Sequence, residues 1–246
     1  MDRIPTGIKG LDELLGGGFP SGKCILVVGS PGSGKTTLVV QFLRGGISRD
    51  ERGLYVTLEE RPEEVKQNLA GFGWNLDGLE REGKLLFVDA TPLRRVSGLR
   101  CAAVNETGVV TVPELTLHSL VRTVGKVVEE ENIQRIAVDP ITSLLLRYGD
   151  ERKMRRAMLL LFDALMNTDA TTLVTSELRT SALDREFKTE EFVSQGVILL
   201  HTLVHDGNVV KAIQIEKMRG IQHDTQLRPY QIGIEGIEVF PKDKVF

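Results

Sequence analysis

This chain of 246 residues has few cysteines, no long hydrophobic run and no excess of basic charge. Its two cysteines, Cys24 and Cys101, do not make a disulfide framework, and a reducing setting fits them. The longest apolar stretches, such as Met158–Phe162, are far shorter than the ~18 residues that a membrane span needs. The first residues also lack the apolar segment of a signal peptide. We therefore expect a cytoplasmic protein that has no membrane partner.

The charge and the overall composition exclude further classes. The formal net charge is −3, which gives no general basic excess that would indicate nucleic acid binding. Hydrophobic residues make up 41% and charged residues 26%, as in ordinary globular proteins rather than disordered, collagenous or coiled-coil chains. The sequence has no linker rich in Pro, Gly or Ser and no internal repeat. Because one α/β domain can reach about 250 residues, we predict a single domain over residues 1–246.

Glycine, in contrast, is abundant. The chain has 25 glycines, about one residue in ten, against an average near 7%. They are not periodic, and nine of them lie between Gly7 and Gly34. This stretch must need local backbone freedom.

Apolar runs alternate with segments of helical spacing over the first 175 residues. The runs predict buried strands at Cys24–Val28, Leu54–Leu58, Leu85–Val88, Arg135–Val138 and Thr171–Thr175. Helices are predicted at Thr36–Arg44, ended by Gly45-Gly46, and at Pro62–Ala70, Pro113–Glu131 and Asp150–Asn167. The alternation predicts an α/β fold with a mostly parallel, twisted sheet flanked by helices.

The pattern changes in the last quarter of the chain. Asp206-Gly207 is a hairpin signal between two apolar segments, and two more short strands follow it. The predicted strands there are Gly196–Leu203, Val209–Glu216, Tyr230–Ile234 and Gly236–Phe240. We expect them to be antiparallel and to extend the same sheet. The segment Thr91–Thr111 is predicted to be a loop or a partly ordered insertion.

Residues 29–36, GSPGSGKT, match the phosphate-loop pattern G-x-x-x-x-G-K-[ST] in full, between a predicted strand and a predicted helix. Glycines let successive N–H groups point at phosphates, and the helix N-terminus adds a positive dipole end. Lys35 can reach the β- and γ-phosphates, and Thr36 can offer its hydroxyl to Mg²⁺. The sequence thus predicts a P-loop NTPase that binds ATP and Mg²⁺ through Ser30, Pro31, Gly32, Ser33, Gly34, Lys35, Thr36 and Thr37. The alternative is a glycine-rich turn that has no ligand.

Asp139 stands where the apolar strand Arg135–Val138 ends. A carboxylate at this position can orient water on Mg²⁺, so Asp139 and Thr36 are the predicted metal residues. The alternative is an aspartate that only caps the turn before Pro140.

Two further carboxylates, Glu59 and Glu60, end the strand Leu54–Leu58. Hydrolysis needs a group that positions or activates water near the γ-phosphate. Adjacent strand residues point to opposite faces, so the two glutamates are not expected to contact one water in the same way. The alternative is that both only begin the acidic first turn of the next helix.

Five spaced segments resemble KaiC-like ATPases of the RecA/RadA superfamily. The first is RIPTGIKGLDELLGGGFP at residues 3–20, which leads into the phosphate loop. The others are Tyr55–Pro62 with its double glutamate, Phe72-Gly73-Trp74, Lys217-Met218-Arg219-Gly220 with His223, and Phe240-Pro241. The resemblance runs from about residue 3 to residue 242 and implies a RecA-like core with slow ATP hydrolysis.

The resemblance also implies roles for single residues. Glu59 matches the glutamate that activates water, Glu60 is its neighbour, and Lys35 completes the catalytic group on the same chain. Lys217 and Arg219 resemble residues that reach across a subunit interface to the ATP of the neighbour, with His223 at the same interface. A cation supplied in this way stabilises charge on the γ-phosphate. The alternative is that both cations have no catalytic role and are solvated at a strand end.

Three functions compete at this point. The first is an oligomeric ATPase switch, in which the resemblance suggests a homo-oligomeric six-fold ring and an unidentified protein partner. The second is a recombination accessory protein that binds single-stranded DNA, because RadA paralogues look similar. The loop Leu178–Phe192, where DNA would bind, has a net charge of −1 and little aromatic content, which disfavours this reading. The third is a scaffold that binds nucleotide without hydrolysis.

Overall fold

The structure is a computed structural model and describes residues 2–91, 110–111, 116–145, 150–178 and 189–245. Its strands are β1 (Arg3–Ile4), β2 (Phe19–Pro20), β3 (Cys24–Gly29), β4 (Gly53–Thr57), β5 (Leu85–Asp89), β6 (Val110–Thr111), β7 (Arg135–Asp139), β8 (Thr171–Glu177), β9 (Gly196–His205), β10 (Asn208–Met218), β11 (Arg228–Gly233) and β12 (Gly236–Val239). Its helices are α1 (Leu11–Leu14), α2 (Lys35–Ile47), α3 (Pro62–Leu69), α4 (Leu76–Arg81), α5 (Leu117–Glu131), α6 (Thr142–Leu145), α7 (Glu151–Met166) and α8 (Thr189–Val193), and a 3-10 turn spans Ala70–Phe72.

Ten of the described strands form one sheet in the order β12-β11-β10-β9-β3-β8-β7-β4-β5-β6, and β1 pairs with β2 separately. The strands from β9 through β6 are parallel. From β9 outwards, β10, β11 and β12 pair antiparallel. The mostly parallel sheet with antiparallel C-terminal strands, predicted above, is confirmed.

Two apolar cores lie on the two faces of this sheet, as the alternation of strand side chains requires. In β3, Ile25 and Val27 face the core that contains α2, whereas Leu26 and Val28 face the core that contains α5 and α7. Burial on both faces explains why β3 is continuously apolar. Among the described residues, no helix combines the length and apolar character that crossing a membrane requires.

The predicted end of the first long helix is wrong. The helix was expected to end at Gly45-Gly46, but α2 continues through both glycines to Ile47. A Cβ on Gly45 would lie 2.6 Å from the Cα of Gly7, and a Cβ on Gly46 would overlap the buried Arg135 side chain. These glycines therefore permit close packing and do not terminate the helix.

Three further segments differ from expectation. Helix α5 begins at Leu117 rather than Pro113, because Thr116 is extended and its hydroxyl accepts a hydrogen bond from the Ser119 amide at 3.1 Å. Residues 112–115 lie outside the described part of the chain. Within the expected insertion 91–111, Val110–Thr111 pairs with β5 as a parallel strand, and residues 92–109 lie outside the description. The end of the expected loop 178–192 is the short helix α8.

Candidate functional site

The site forms at the carboxyl ends of four neighbouring parallel strands. β3 ends at Gly29, β8 at Glu177, β7 at Asp139 and β4 at Thr57. Ligands of open α/β sheets bind outside this edge. The phosphate loop follows β3 there, and α2 begins directly after it at Lys35.

The loop turns on two glycines with positive φ. Gly32 has φ of 75° and Gly34 has φ of 94°, values that side chains with a Cβ rarely adopt. A Cβ on Gly34 would lie 2.7 Å from the Cδ1 of Ile232, so β11 packs tightly against the loop. On the opposite side of the turn, Pro31 and Gly32 are exposed, and Ser30 is half-buried.

The rest of the loop is held by residues distant in sequence. Tyr230 donates its phenolic hydrogen to the carbonyl of Ser33 at 2.5 Å, and Lys211 donates to the carbonyl of Gly32 at 2.7 Å. The Ser33 hydroxyl is buried and has no hydrogen-bond partner within the described residues. Thr37 is buried in the first turn of α2. The loop thus presents its exposed backbone from a fixed base.

Lys35 lies in this loop with three carboxylates around it. Its ammonium donates to the carbonyls of Gly29 at 2.9 Å and Ser30 at 3.2 Å. Burial lowers the pKa of Lys35, while the negative charges of Asp139, Glu177 and Glu59 act in the opposite direction. An anionic ligand would give this partly desolvated ammonium a better partner than two backbone carbonyls.

Thr36 and Asp139, the two predicted metal residues, are in direct contact. The Thr36 hydroxyl donates to Asp139 Oδ2 at 2.7 Å. The same oxygen accepts from the Tyr55 hydroxyl at 2.6 Å, and Asp139 Oδ1 accepts from the Thr175 hydroxyl. Asp139 is only 6% exposed. A hydroxyl and a carboxylate oxygen are hard oxygen ligands, so this pair fits Mg²⁺, which usually binds proteins through few carboxylates.

The structure separates the two glutamates. Glu59 is half-buried, accepts a hydrogen bond from the Ser143 hydroxyl at 3.3 Å, and contributes to the electrostatic surroundings of Lys35. Glu60 is exposed, and its Oε2 accepts from Asn68 on α3 at 2.9 Å. Glu59 therefore lies on the side of the phosphate loop, and Glu60 is directed to the neighbouring helix.

Lys217 and Arg219 do not approach the phosphate loop of their own chain. In strand register Lys217 lies opposite Val197, which pairs with Leu26, three residues before the end of β3 at Gly29. That offset is about 10 Å along the strands, and two strand spacings separate β10 from β3. Lys217 donates instead to the carbonyl of Glu191.

Arg219 and His223, which follow Lys217 in the chain, also contact backbone carbonyls. Arg219 donates to the carbonyl of Phe192 at 3.2 Å, and a ring nitrogen of His223 lies 3.2 Å from the carbonyl oxygen of Asp224. Burial is the main cause that lowers the pKa of Lys217, and the positive charge of Arg219 adds to it. The described contacts of these residues are with backbone carbonyls and not with the loop at residues 29–36.

Four other residues of the site were not predicted as site residues. Tyr55 and Thr175 lie inside β4 and β8 as ordinary strand residues, and Ser143 is the second residue of α6. Tyr230 lies about 200 positions after the loop that it supports. Only the positions of Tyr55 and Thr175, close to strand ends at the edge that binds ligands, could have indicated them. Ser176, the last residue but one of β8, donates to Glu190 at 3.1 Å.

The acidic loop Leu178–Phe192, where DNA would bind in the disfavoured alternative, is only partly described. Residues 179–188 lie outside the described part of the chain. Glu190 and Glu191 are 2% exposed in α8, so they do not add charge to a surface loop. Phe192, in contrast, is 62% exposed next to Arg219.

A separate cleft of about 690 Å³ lies between the second half of α2 and the β11–β12 hairpin. It contains Arg44, whose guanidinium lies 4.6 Å above the ring of Trp74. Trp74 in turn stacks on Phe72 at a centroid distance of 4.8 Å. No residue of the phosphate loop lines this cleft, so it is distinct from the site described above.

Comparison with known proteins gives one consistent result. A family model described as "ATPase: KaiC" matches residues 4–244. A UPF0273 protein of Aeropyrum pernix is 36% identical over 247 aligned positions, which cover 100% of this chain and 96% of that protein. The circadian clock oscillator protein KaiC of a Picosynechococcus strain is 34% identical over 98% of this chain. This chain spans only 45% of the length of that KaiC.

A solved structure agrees with the sequence comparisons. The crystal structure of a KaiC-like protein from the archaeon Pyrococcus horikoshii superimposes with a TM-score of 0.81 at 34% identity, covering 98% of this chain and 99% of that one. Fold and sequence therefore point to the same family, and the predicted RecA-like core is confirmed.

Proposed function

Because this chain belongs to the KaiC family of ATPases, we propose that it binds ATP with Mg²⁺ and hydrolyses it slowly as a subunit of a homo-oligomeric switch. Residues 1–246 would act as one ATPase unit. The observation that supports this best is the convergence at one sheet edge of Lys35, the Thr36–Asp139 pair and Glu59.

The phosphate loop would bind the phosphates of ATP. Its backbone amides, at the N-terminus of α2, would donate hydrogen bonds to the phosphate oxygens, and Lys35 would leave the carbonyls of Gly29 and Ser30 to contact them. Mg²⁺ bound at Thr36 and Asp139 would neutralise charge that develops on the phosphates. Thr37 and Ser33 are buried.

Glu59 is the residue that we assign to the attacking water. Its carboxylate is half-buried beside the loop, and Ser143 donates to one of its oxygens and leaves the other for water. A base in this place would take a proton from water as the oxygen attacks the γ-phosphorus and the bond to the leaving ADP oxygen breaks. Glu60 would serve only to fix the segment to α3 through Asn68.

Cations from a second copy complete the proposal. Lys217 and Arg219 lie too far from their own loop to act there, but Arg219 is exposed and Lys217 half-buried at the end of β10, where a neighbouring subunit could bring its ATP. Such an arrangement is heterologous, and rotation can close it into a ring. Activity would then depend on assembly.

The test is phosphate release by purified protein with ATP and Mg²⁺, in parallel with nucleotide binding and mass measurement. We expect Lys35→Ala to lose binding and turnover, and Glu59→Gln to keep binding and lose turnover. Wild-type protein that binds ATP without releasing phosphate at any protein concentration would instead support a non-hydrolysing scaffold. Unchanged turnover in both variants would remove the enzymatic assignment.

A further inference from the structure

Tyr55 is a buried residue in direct contact with the proposed metal pair, and the mechanism does not use it. Its hydroxyl donates to Asp139 Oδ2 at 2.6 Å, the same oxygen that accepts from Thr36. We propose that Tyr55 is a positioning residue for the divalent cation: it holds the Asp139 carboxylate in the orientation that faces Thr36 and thereby sets the affinity of the site for the metal. This inference rests on the proposed function, since it assumes that the cation binds at this pair.

The sheet places donors on both flanks of Asp139. β7 lies between β4, which carries Tyr55, and β8, which carries Thr175. Tyr55 donates to Oδ2 and Thr175 to Oδ1, so each carboxylate oxygen is fixed by one neighbouring strand. The carboxylate therefore cannot rotate without breaking a buried hydrogen bond.

The three hydroxyls on Asp139 have different roles. Thr36 lies in the phosphate loop and is itself an expected metal ligand, so its contact with Oδ2 competes with a cation for the same lone pairs. Tyr55 and Thr175 come from the sheet and can keep donating whether or not a cation is present. Outer hydrogen bonds of this kind orient metal ligands.

Packing fixes the tyrosine itself. Tyr55 is 1% exposed, and its ring lies 5.6 Å from that of Phe87 between centroids. The Lys66 ammonium lies over the ring of Phe87, 5.0 Å from the centroid of that ring.

Tyr55→Phe tests the inference because it removes one oxygen and keeps the ring. Mn²⁺ replaces Mg²⁺ as a spectroscopic probe, and its dissociation constant is measured by electron paramagnetic resonance at saturating ADP. We expect this constant to rise roughly 10-fold or more in Tyr55→Phe, as for other outer-shell partners of metal ligands. ADP binding measured in EDTA should stay at the wild-type level.

Thr172→Val is the control. It also removes a buried hydroxyl from the sheet, but one near the start of β8 that donates to the Ala170 carbonyl and not to Asp139. We expect its Mn²⁺ constant at saturating ADP to equal that of the wild type. Thr175→Val is a second variant on the opposite flank and should weaken Mn²⁺ binding in the same direction as Tyr55→Phe.

The outcomes separate this inference from the proposed function. Equal Mn²⁺ constants for Tyr55→Phe and Thr172→Val, with similar losses of thermal stability, would show that Tyr55 is only structural. Wild-type protein that binds ADP but no Mn²⁺ would overturn the positioning role as well. Failure of the wild type to bind any nucleotide would overturn the proposed function first.

Discussion

The side-chain amide of Gln41, in the middle of α2, pairs with the backbone of Ile237 as a neighbouring strand would. Its Oε1 accepts from the Ile237 amide at 2.7 Å, and its Nε2 donates to the Ile237 carbonyl at 3.0 Å. Ile237 belongs to β12, the edge strand of the sheet. One glutamine thus satisfies both backbone groups of an edge residue and fixes the phosphate-loop helix to the C-terminal strands.

We expect Gln41→Leu to lower the free energy of unfolding by roughly 2–4 kcal/mol, because two buried backbone groups lose their partner. Urea denaturation followed by circular dichroism measures the loss. Gln231→Leu is the control, since Gln231 is exposed and its side-chain amide donates to the partly exposed Glu238. Its effect should stay within about 0.5 kcal/mol. Equal effects at the two positions would contradict the role of Gln41.

Gly46→Ala should also destabilise the protein, although alanine favours helices. The added Cβ would overlap the guanidinium of Arg135, which is fully buried, stacks on Phe42 and pairs with Glu51. Displacing a buried paired charge is costly, so we expect a loss of roughly 2–4 kcal/mol in the free energy of unfolding.

Gly125→Ala offers a helical glycine for comparison. It lies in α5, and a Cβ there would meet no atom within 4 Å. We expect this change to stabilise the protein by about 0.5–1 kcal/mol through helix propensity. Urea denaturation measures the free energy of unfolding of both variants. We expect it to fall in Gly46→Ala and to rise in Gly125→Ala.

The two adjacent glutamates should differ sharply in catalysis. We expect Glu59→Gln to lower kcat about 100-fold or more, the usual contribution of a positioned general base. Glu60→Gln should keep kcat within about threefold of the wild type, because its carboxylate faces Asn68 on α3. Single-turnover phosphate release with bound ATP measures both. Equal losses would mean that the pair acts as a unit and that the assignment to Glu59 is wrong.

Complementation should reveal a cation supplied between subunits. Lys35→Ala and Arg219→Ala are each expected to be inactive, and mixing them should restore about a quarter of the wild-type turnover. Each working site then needs an intact Lys35 and a neighbour with an intact Arg219, and each condition holds for half of the subunits in a random heterologous assembly. Phosphate release after co-refolding or subunit exchange gives the value.

The control for complementation is the chain that carries both changes. Mixed with either single variant it cannot form a working site, so these mixtures should stay inactive. Activity that returns in the control mixtures, or fails to return in the complementing one at concentrations where the protein assembles, would count against a role between subunits.

The sequence predicted the parts of this protein that local pattern encodes. The loop at Gly29–Thr36 has a full motif, and Asp139 stands at the end of an apolar run. The sequence alone therefore places both at the carboxyl edge of the sheet. The antiparallel ending followed from the turn at Asp206-Gly207. Each of these signals depends on residues close together in the chain.

The contacts that the sequence did not reveal are long-range. Gln41 lies in an apolar helical segment, and its partner is 196 positions away. Gly45 and Gly46 suggested a helix end because glycine commonly follows helices, but their neighbours Gly7 and Arg135 come from other elements. Nothing local separates a glycine that ends a helix from one that allows close packing.

The support of the phosphate loop also has a consequence for the order in which the protein matures during synthesis. The loop is translated early, yet Tyr230 and Ile232, which hold Ser33 and pack on Gly34, come about 200 residues later, with 197 positions between Ser33 and Tyr230. A ribosome-bound chain that has produced only the parallel strands would expose an unsupported loop. The growing chain should therefore gain nucleotide affinity late and abruptly, when β11 and β12 emerge and dock.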